Sequence, residues 1–204
     1  MSELLTRPDL KGRVTVVSEW RDTMGLIMLD QGANPSDFTA DQFAAAIAAL
    51  QAGVDSKQIR RFTGNDYSGD LANGTIYACV AWSGDVVQLQ ADNPDIKFVQ
   101  PDAGMMIWAD NMLIPNLAEH KKNAEKLMNF YYDPEVAAQL SAYVQYISPV
   151  EGTKEAMKKV DPSLVDNQLI FPDADFLANT HLFMGLEEAT EKGYASQFEN
   201  VAGA

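Results

Sequence analysis

The chain has 204 residues, 47% of them hydrophobic and 22% charged, with a formal net charge of −14. That length supports one or two domains with a real core, while the negative charge disfavours nucleic acids and anionic membrane surfaces as partners and favours cations. No apolar run reaches the ~18 residues that a membrane-spanning helix needs.

The opening "MSELLTRPDLKGR" carries no apolar leader, so the sequence predicts either a cytoplasmic protein or one whose beginning is absent. Val14 to Val17 form a β-branched strand run, after which Ser18 reads as the N-cap of a helix ending near Gly32. "TADQFAAAIAALQAG" starts with a capping box, Thr39 and Gln42, and places Phe43, Ile47 and Leu50 on one face. "KQIRRF" is a short strand, "TGNDYSGD" (63–70) a connector, "GTIYACVAW" a buried strand and "SGDVVQLQADNP" a helix closed by Asn93-Pro94. "DIKFVQP" and "GMMIWADNMLIP" read as two further strands. "AEHKKNAEKLMNFYYD" and "PEVAAQLSAYVQY" make a helical hairpin broken at Asp133-Pro134, followed by a connector at 147–153. "TKEAMKKV" and "MGLEEATEKGYASQFENV" are later helices. Strands alternating with helices predict an α/β fold with a mainly parallel sheet flanked by helices.

Cys79 is the single cysteine, so no intrachain disulfide forms, and its apolar setting reads as packing rather than nucleophile. His120 and His181 have no metal-ligand spacing around them. No cofactor motif is present: glycine-rich dinucleotide loop, phosphate loop and nucleophile elbow are all absent from the sequence.

Three stretches carry candidate chemistry. In "VVSEWRD", Glu19 and Asp22 are three apart in a first helical turn and share a face; the attraction of helix N-termini for carboxylates is the purely structural alternative. In "VAWSGD", Trp82 ends a strand and Asp85 lies in the following first turn, where ligands of open α/β sheets bind; a core tryptophan beside a capping aspartate is the alternative. In "GMMIWADNMLIP", Trp108 and Asp110 are two apart in an apolar run, which on a strand points both to one face. A buried carboxylate needs a partner, and a cation lying on the indole and meeting the carboxylate provides one; an internal lysine or backbone N–H is the alternative. Together these residues suit a cage for an organic ammonium.

In the order "KGRVTVVSEWRDTMGLIMLDQGANP", "GTIYACVAWSGD", "MIWADNMLIPNLAEHKKNAEKLMNFYYDPEVAAQLSAYVQYISPV" and "LIFPDAD", the chain resembles the polyamine-binding (spermidine/putrescine) solute receptors of bacterial ABC importers. The resemblance implies a type II periplasmic binding-protein fold, no enzymatic activity, an extracytoplasmic location and delivery of ligand to importer membrane subunits. It implies that Glu19, Asp22, Trp82, Trp108, Asp110 and Tyr146 of "YISP" contact the ligand, with Asp85 and Phe183 as further candidates. Three positions depart from the pattern: Phe183 stands where the family has glutamine, Trp20 where a small residue is common, and Asp85 adds a charge after "WSG".

The resemblance also implies a missing first lobe, so the chain is expected to be a fragment. Residues 1–108 and 151–204 would form the second lobe, and 109–150 an excursion belonging to the first. The apolar residues Leu127, Phe130, Leu140 and Tyr143 would then be uncovered, which predicts self-association through 109–150. Two other functions are open: the same fold holding another organic cation, an amino acid derivative or a metal chelate, and a hydrolase using Glu19 and Asp22. The hydrolase is disfavoured because residues one helical turn apart attack a substrate from the same side.

Overall fold

The computed structural model describes residues 1–203. Contacts divide the chain into two compact units, one of Met1–Trp82, Leu89–Trp108 and Asn179–Ala204, the other of Ser83–Gln88 and Ala109–Ala178.

The first unit is built on a parallel sheet. Its middle strand, β1 (Val14–Val17), is buried at all four positions and lies between β2 (Ile59–Thr63) and β3 (Ala78–Cys79). A strand covered on both faces needs no polar alternation, which explains the unbroken β-branched run. Helix α1 (Ser2–Thr6) precedes β1, and α2 (Trp20–Asp30) follows it. Helix α3 (Ala40–Asp55) starts from the expected capping box of Thr39 and Gln42 and buries Phe43, Ala46 and Leu50. Helix α4 (Tyr67–Ala72) follows β2, and α5 (Ser83–Asp92), which starts after β3, contributes Leu89 onward to this unit. A second pair of parallel strands, β4 (Met105–Met106) and β5 (Thr180–His181), brings the late part of the chain back. The last helix, α10 (Glu188–Ala202), packs on α3, with Tyr194 stacked on Phe43 at 4.0 Å, and sets Phe198 edge-on to Phe62 at 5.5 Å.

The second unit is helical. Helices α6 (Lys121–Tyr131) and α7 (Pro134–Val144) form the expected hairpin. Pro134 sits at the first position of α7, where its missing N–H costs nothing, and Asp133 caps it by accepting from the N–H groups of Glu135 and Val136. Helix α8 (Thr153–Val160) packs on α7 through Ala138, Ala156 and Met157, and a short α9 (Ala174–Ala178) closes the unit. Residues 151–178 therefore pack with the helical excursion, and the chain rejoins the first unit at Asn179 rather than at 151.

Several expected elements differ. Glu19, not Ser18, is the N-cap of α2. The connector at 63–70 contains the start of α4. "GTIYACVAW" is strand only over Ala78–Cys79, "DIKFVQP" forms no strand, and "GMMIWADNMLIP" is strand only at Met105–Met106. A strand needs a partner backbone. Beyond Met106 the ladder adds one bond, from the Ile107 N–H to the His181 carbonyl at 3.0 Å, and Pro115 can donate none. Cys79 is half-buried, and burial pushes its thiol up to about 12, as suits a packing residue.

Candidate ligand-binding site

Because β1, β2 and β3 run parallel, their carboxyl ends lie along one edge of the sheet. Helices α2, α4 and α5 start from that edge, the place where open α/β sheets bind ligands.

The first turn of α2 supplies two carboxylates. Glu19 caps the helix, its Oε1 accepting from the Arg21 N–H at 3.3 Å, and its side chain remains exposed. Arg21 does not neutralise it closely: one guanidinium nitrogen lies 3.7 Å from Glu19, while another donates to Glu191 at 2.5 Å. The Arg21 guanidinium also covers the Trp20 ring, 4.6 Å from its centre. Asp22 is half-buried, and its Oδ2 accepts the indole N–H of Trp82 at 3.1 Å. Burial pushes the Asp22 carboxyl above its ordinary range. The Trp82 N–H opposes that shift, the Glu19 charge adds to it, and the Arg21 charge opposes it.

Trp82 is the N-cap residue of α5. Its main-chain N–H donates to the hydroxyl of Tyr67 at 2.9 Å, and the two rings lie 6.2 Å apart. The residue pattern gave Tyr67 no role, since "TGNDYSGD" reads as a polar connector. A tyrosine within a glycine- and asparagine-rich stretch was the available signal.

Phe183 packs against other aromatic rings. It is half-buried against Trp20 at 5.1 Å and Phe38 at 5.2 Å, both edge-on. Trp20 is itself buried and meets Phe43. Two of the departures noted in the sequence are thus one packing unit: the large residue at 20 fills against the apolar one at 183.

In the second unit, Tyr146 lies against the start of α5. A Cβ at Gly84 would come within 2.5 to 2.8 Å of three Tyr146 ring carbons, so only glycine admits the ring. Burial first, then the negative charges of Asp85 and Asp110, push the Tyr146 hydroxyl up to about 12. The structure therefore brings Tyr146, Asp85 and Asp110 into one electrostatic neighbourhood.

Trp108 and Asp110 do not lie on a strand. Residues 107–115 form no strand, so the two-residue spacing gives no common face, and Asp110 is exposed rather than buried. Trp108 is 44% exposed. Leu127, Phe130, Leu140 and Tyr143 are all exposed, Tyr143 at 84%. A cavity of about 320 Å³ in the second unit, lined by Ile147, Lys154, Phe171 and Leu177 among others, contains none of the candidate residues. Among the described residues no group of three or more His, Cys, Asp or Glu could hold a metal.

The sequence is 26% identical over 176 residues to the spermidine/putrescine-binding periplasmic protein of Escherichia coli, covering 86% of this chain and 49% of that protein. It is 31% identical over 153 residues to the putrescine-binding periplasmic protein PotF of the same organism, covering 72% of this chain and 40% of that one. The chain spans about half the length of the curated relatives it matches. A solved structure from Listeria monocytogenes superposes with a TM-score of 0.86 at 26% identity, over 97% of this chain and 59% of that one. The substrate-binding protein PotD of Streptococcus pneumoniae shares the fold, with a TM-score of 0.77 at 20% identity over 98% and 60% of the two chains. Residues 3–180 match the family of bacterial extracellular solute-binding proteins, and the chain belongs to that family.

Proposed function

We propose that the chain is part of a non-enzymatic receptor that captures a small polyamine, putrescine or spermidine, outside the cytoplasm and hands it to the membrane subunits of an ABC importer. The observation that carries this reading is the contact between the Asp22 carboxylate and the Trp82 indole at the ligand-binding edge of the sheet. A primary ammonium is held by carboxylates, and the methylene stem between two ammonium groups lies on flat aromatic walls. Glu19 adds an exposed charge to that edge, and the relatives of similar sequence are named for spermidine, putrescine and agmatine. In the second unit, Asp85, Asp110 and Tyr146 form an acidic and aromatic group of their own, and Trp108, at the end of a first-unit segment, is a second candidate indole. The exposed apolar residues of 109–150 support self-association through that segment.

Titration calorimetry with putrescine and spermidine, on the protein expressed from its whole reading frame, tests the reading. Saturable binding that weakens with acid and with added salt is expected; no heat with any amine would refute it. A second reading, the same fold holding a quaternary amine, an amino acid derivative or a metal chelate, is favoured by Phe183. That side chain is occupied with Trp20 and brings no polar group to a diamine. A ligand panel in the same calorimeter separates the two.

A further inference from the structure

We infer that Tyr67 is a positioning residue: its hydroxyl anchors the main chain of Trp82 and thereby aims the indole at Asp22. The inference rests on the proposal that Trp82 forms a wall of the ligand site.

The fold assembles the three residues from three separate connections. Asp22 follows β1, Tyr67 follows β2 and Trp82 follows β3, and the parallel sheet delivers all three to one edge. Tyr67 is 0% exposed and belongs to the main core of the first unit. Packing alone would be served by phenylalanine. A buried phenol is worth keeping only where its oxygen has work, and here the oxygen accepts the Trp82 main-chain N–H at 2.9 Å. That N–H is not otherwise supplied by the fold. Trp82 stands just before α5 with extended dihedral angles, φ −84° and ψ 140°, and makes no side-chain cap of its own.

Trp82 is therefore held at two ends. Tyr67 fixes its backbone, and Asp22 takes the indole N–H at 3.1 Å. Two bonds at opposite ends of one residue leave the ring little freedom before any ligand arrives. A wall ordered in advance need not be ordered on binding, which is where rotamer-rich sites lose affinity. Asp22 then has two tasks: one oxygen holds the indole, and the other is available to a cation. Tyr67 does not touch the ligand in this scheme and acts only through Trp82.

The test is nitrogen–proton NMR of the 204-residue chain with no ligand present, so it is decided independently of the calorimetry on amines. The chain has three tryptophans, and Trp82→Phe assigns the relevant indole signal. Tyr67→Phe keeps the ring and removes the oxygen. Loss of one buried hydrogen bond should speed exchange of the Trp82 main-chain amide by about fivefold to tenfold. The indole signal should move toward its position in Asp22→Ala. A folded Tyr67→Phe protein with reduced Tm but an unmoved indole signal and unchanged exchange would overturn the inference, because that pattern is mere packing. Should Tyr67→Phe not fold, the wild-type protein decides: protection of the Trp82 amide supports the anchor, and exchange at the rate of an exposed loop amide overturns it.

Discussion

Gly84→Ala sets two physical effects of opposite sign against each other. Gly84 is the second residue of α5, and alanine is favoured over glycine inside a helix by about 1 kcal/mol. On propensity alone the substitution stabilises. The structure predicts the reverse, because the new Cβ would lie 2.5 Å from Cε2 and 2.8 Å from Cδ2 and Cζ of Tyr146. Carbon atoms settle at about 3.5–4.0 Å, so the ring must retreat by roughly 1 Å. Overpacking of that size costs about 1–3 kcal/mol. The propensity gain is reduced this close to the helix start, so a net loss of about 1–2 kcal/mol follows. Urea unfolding of the wild type, Gly84→Ala, Tyr146→Ala and the double variant measures it. In the Tyr146→Ala background the clash is gone, and Gly84→Ala should become neutral or stabilising. The coupling between the two substitutions should reach about 1–3 kcal/mol. An unchanged or raised stability for Gly84→Ala alone, or the same penalty with and without the Tyr146 ring, would refute the close-approach argument.

Asp22 makes an unusual pH prediction. Its carboxyl is raised in the folded protein, chiefly by burial, so the folded state binds its proton more tightly than the unfolded chain does. Stability from this group is therefore lost as pH rises through the window between the ordinary carboxylate value and the raised one, and is present below it. Asp22→Asn keeps an acceptor for the Trp82 N–H and removes the charge. It should raise Tm at neutral pH, with the difference shrinking as pH falls through that window, while amine binding is lost; a neutral-pH Tm below wild type would contradict the burial argument. Light scattering across a concentration series should show association, and charges placed at Phe130 and Tyr143 should abolish it, whereas a wild-type monomer at every concentration would remove the case for self-association.

What the sequence made legible was whatever depends on neighbours along the chain. The β-branched run at β1, the capping box of Thr39 and Gln42, and the stop at Asp133-Pro134 are local signals, and each stands in the structure where the pattern put it. The first-turn placement of Glu19 and Asp22 was also local, although the cap fell on Glu19 because its own carboxylate reaches the Arg21 N–H. Strand pairing is not local. "DIKFVQP" and residues 107–115 have strand composition, but after the Ile107 N–H has bonded to His181 neither stretch continues a ladder. Tyr67 was illegible for the same reason: its role is set by Trp82, fifteen residues on and across a strand. The tie between Trp20 and Phe183 spans most of the chain, so along the sequence each reads as an isolated irregularity.

The way α10 completes the first unit has a consequence for biosynthesis. Phe198, Val201 and Tyr194 are needed to cover Phe62 and Phe43, yet they are translated long after α3. Until they clear the ribosome, the part of Phe43 and Phe62 that α10 covers stays bare, and the nascent chain carries an apolar face that earlier elements cannot close.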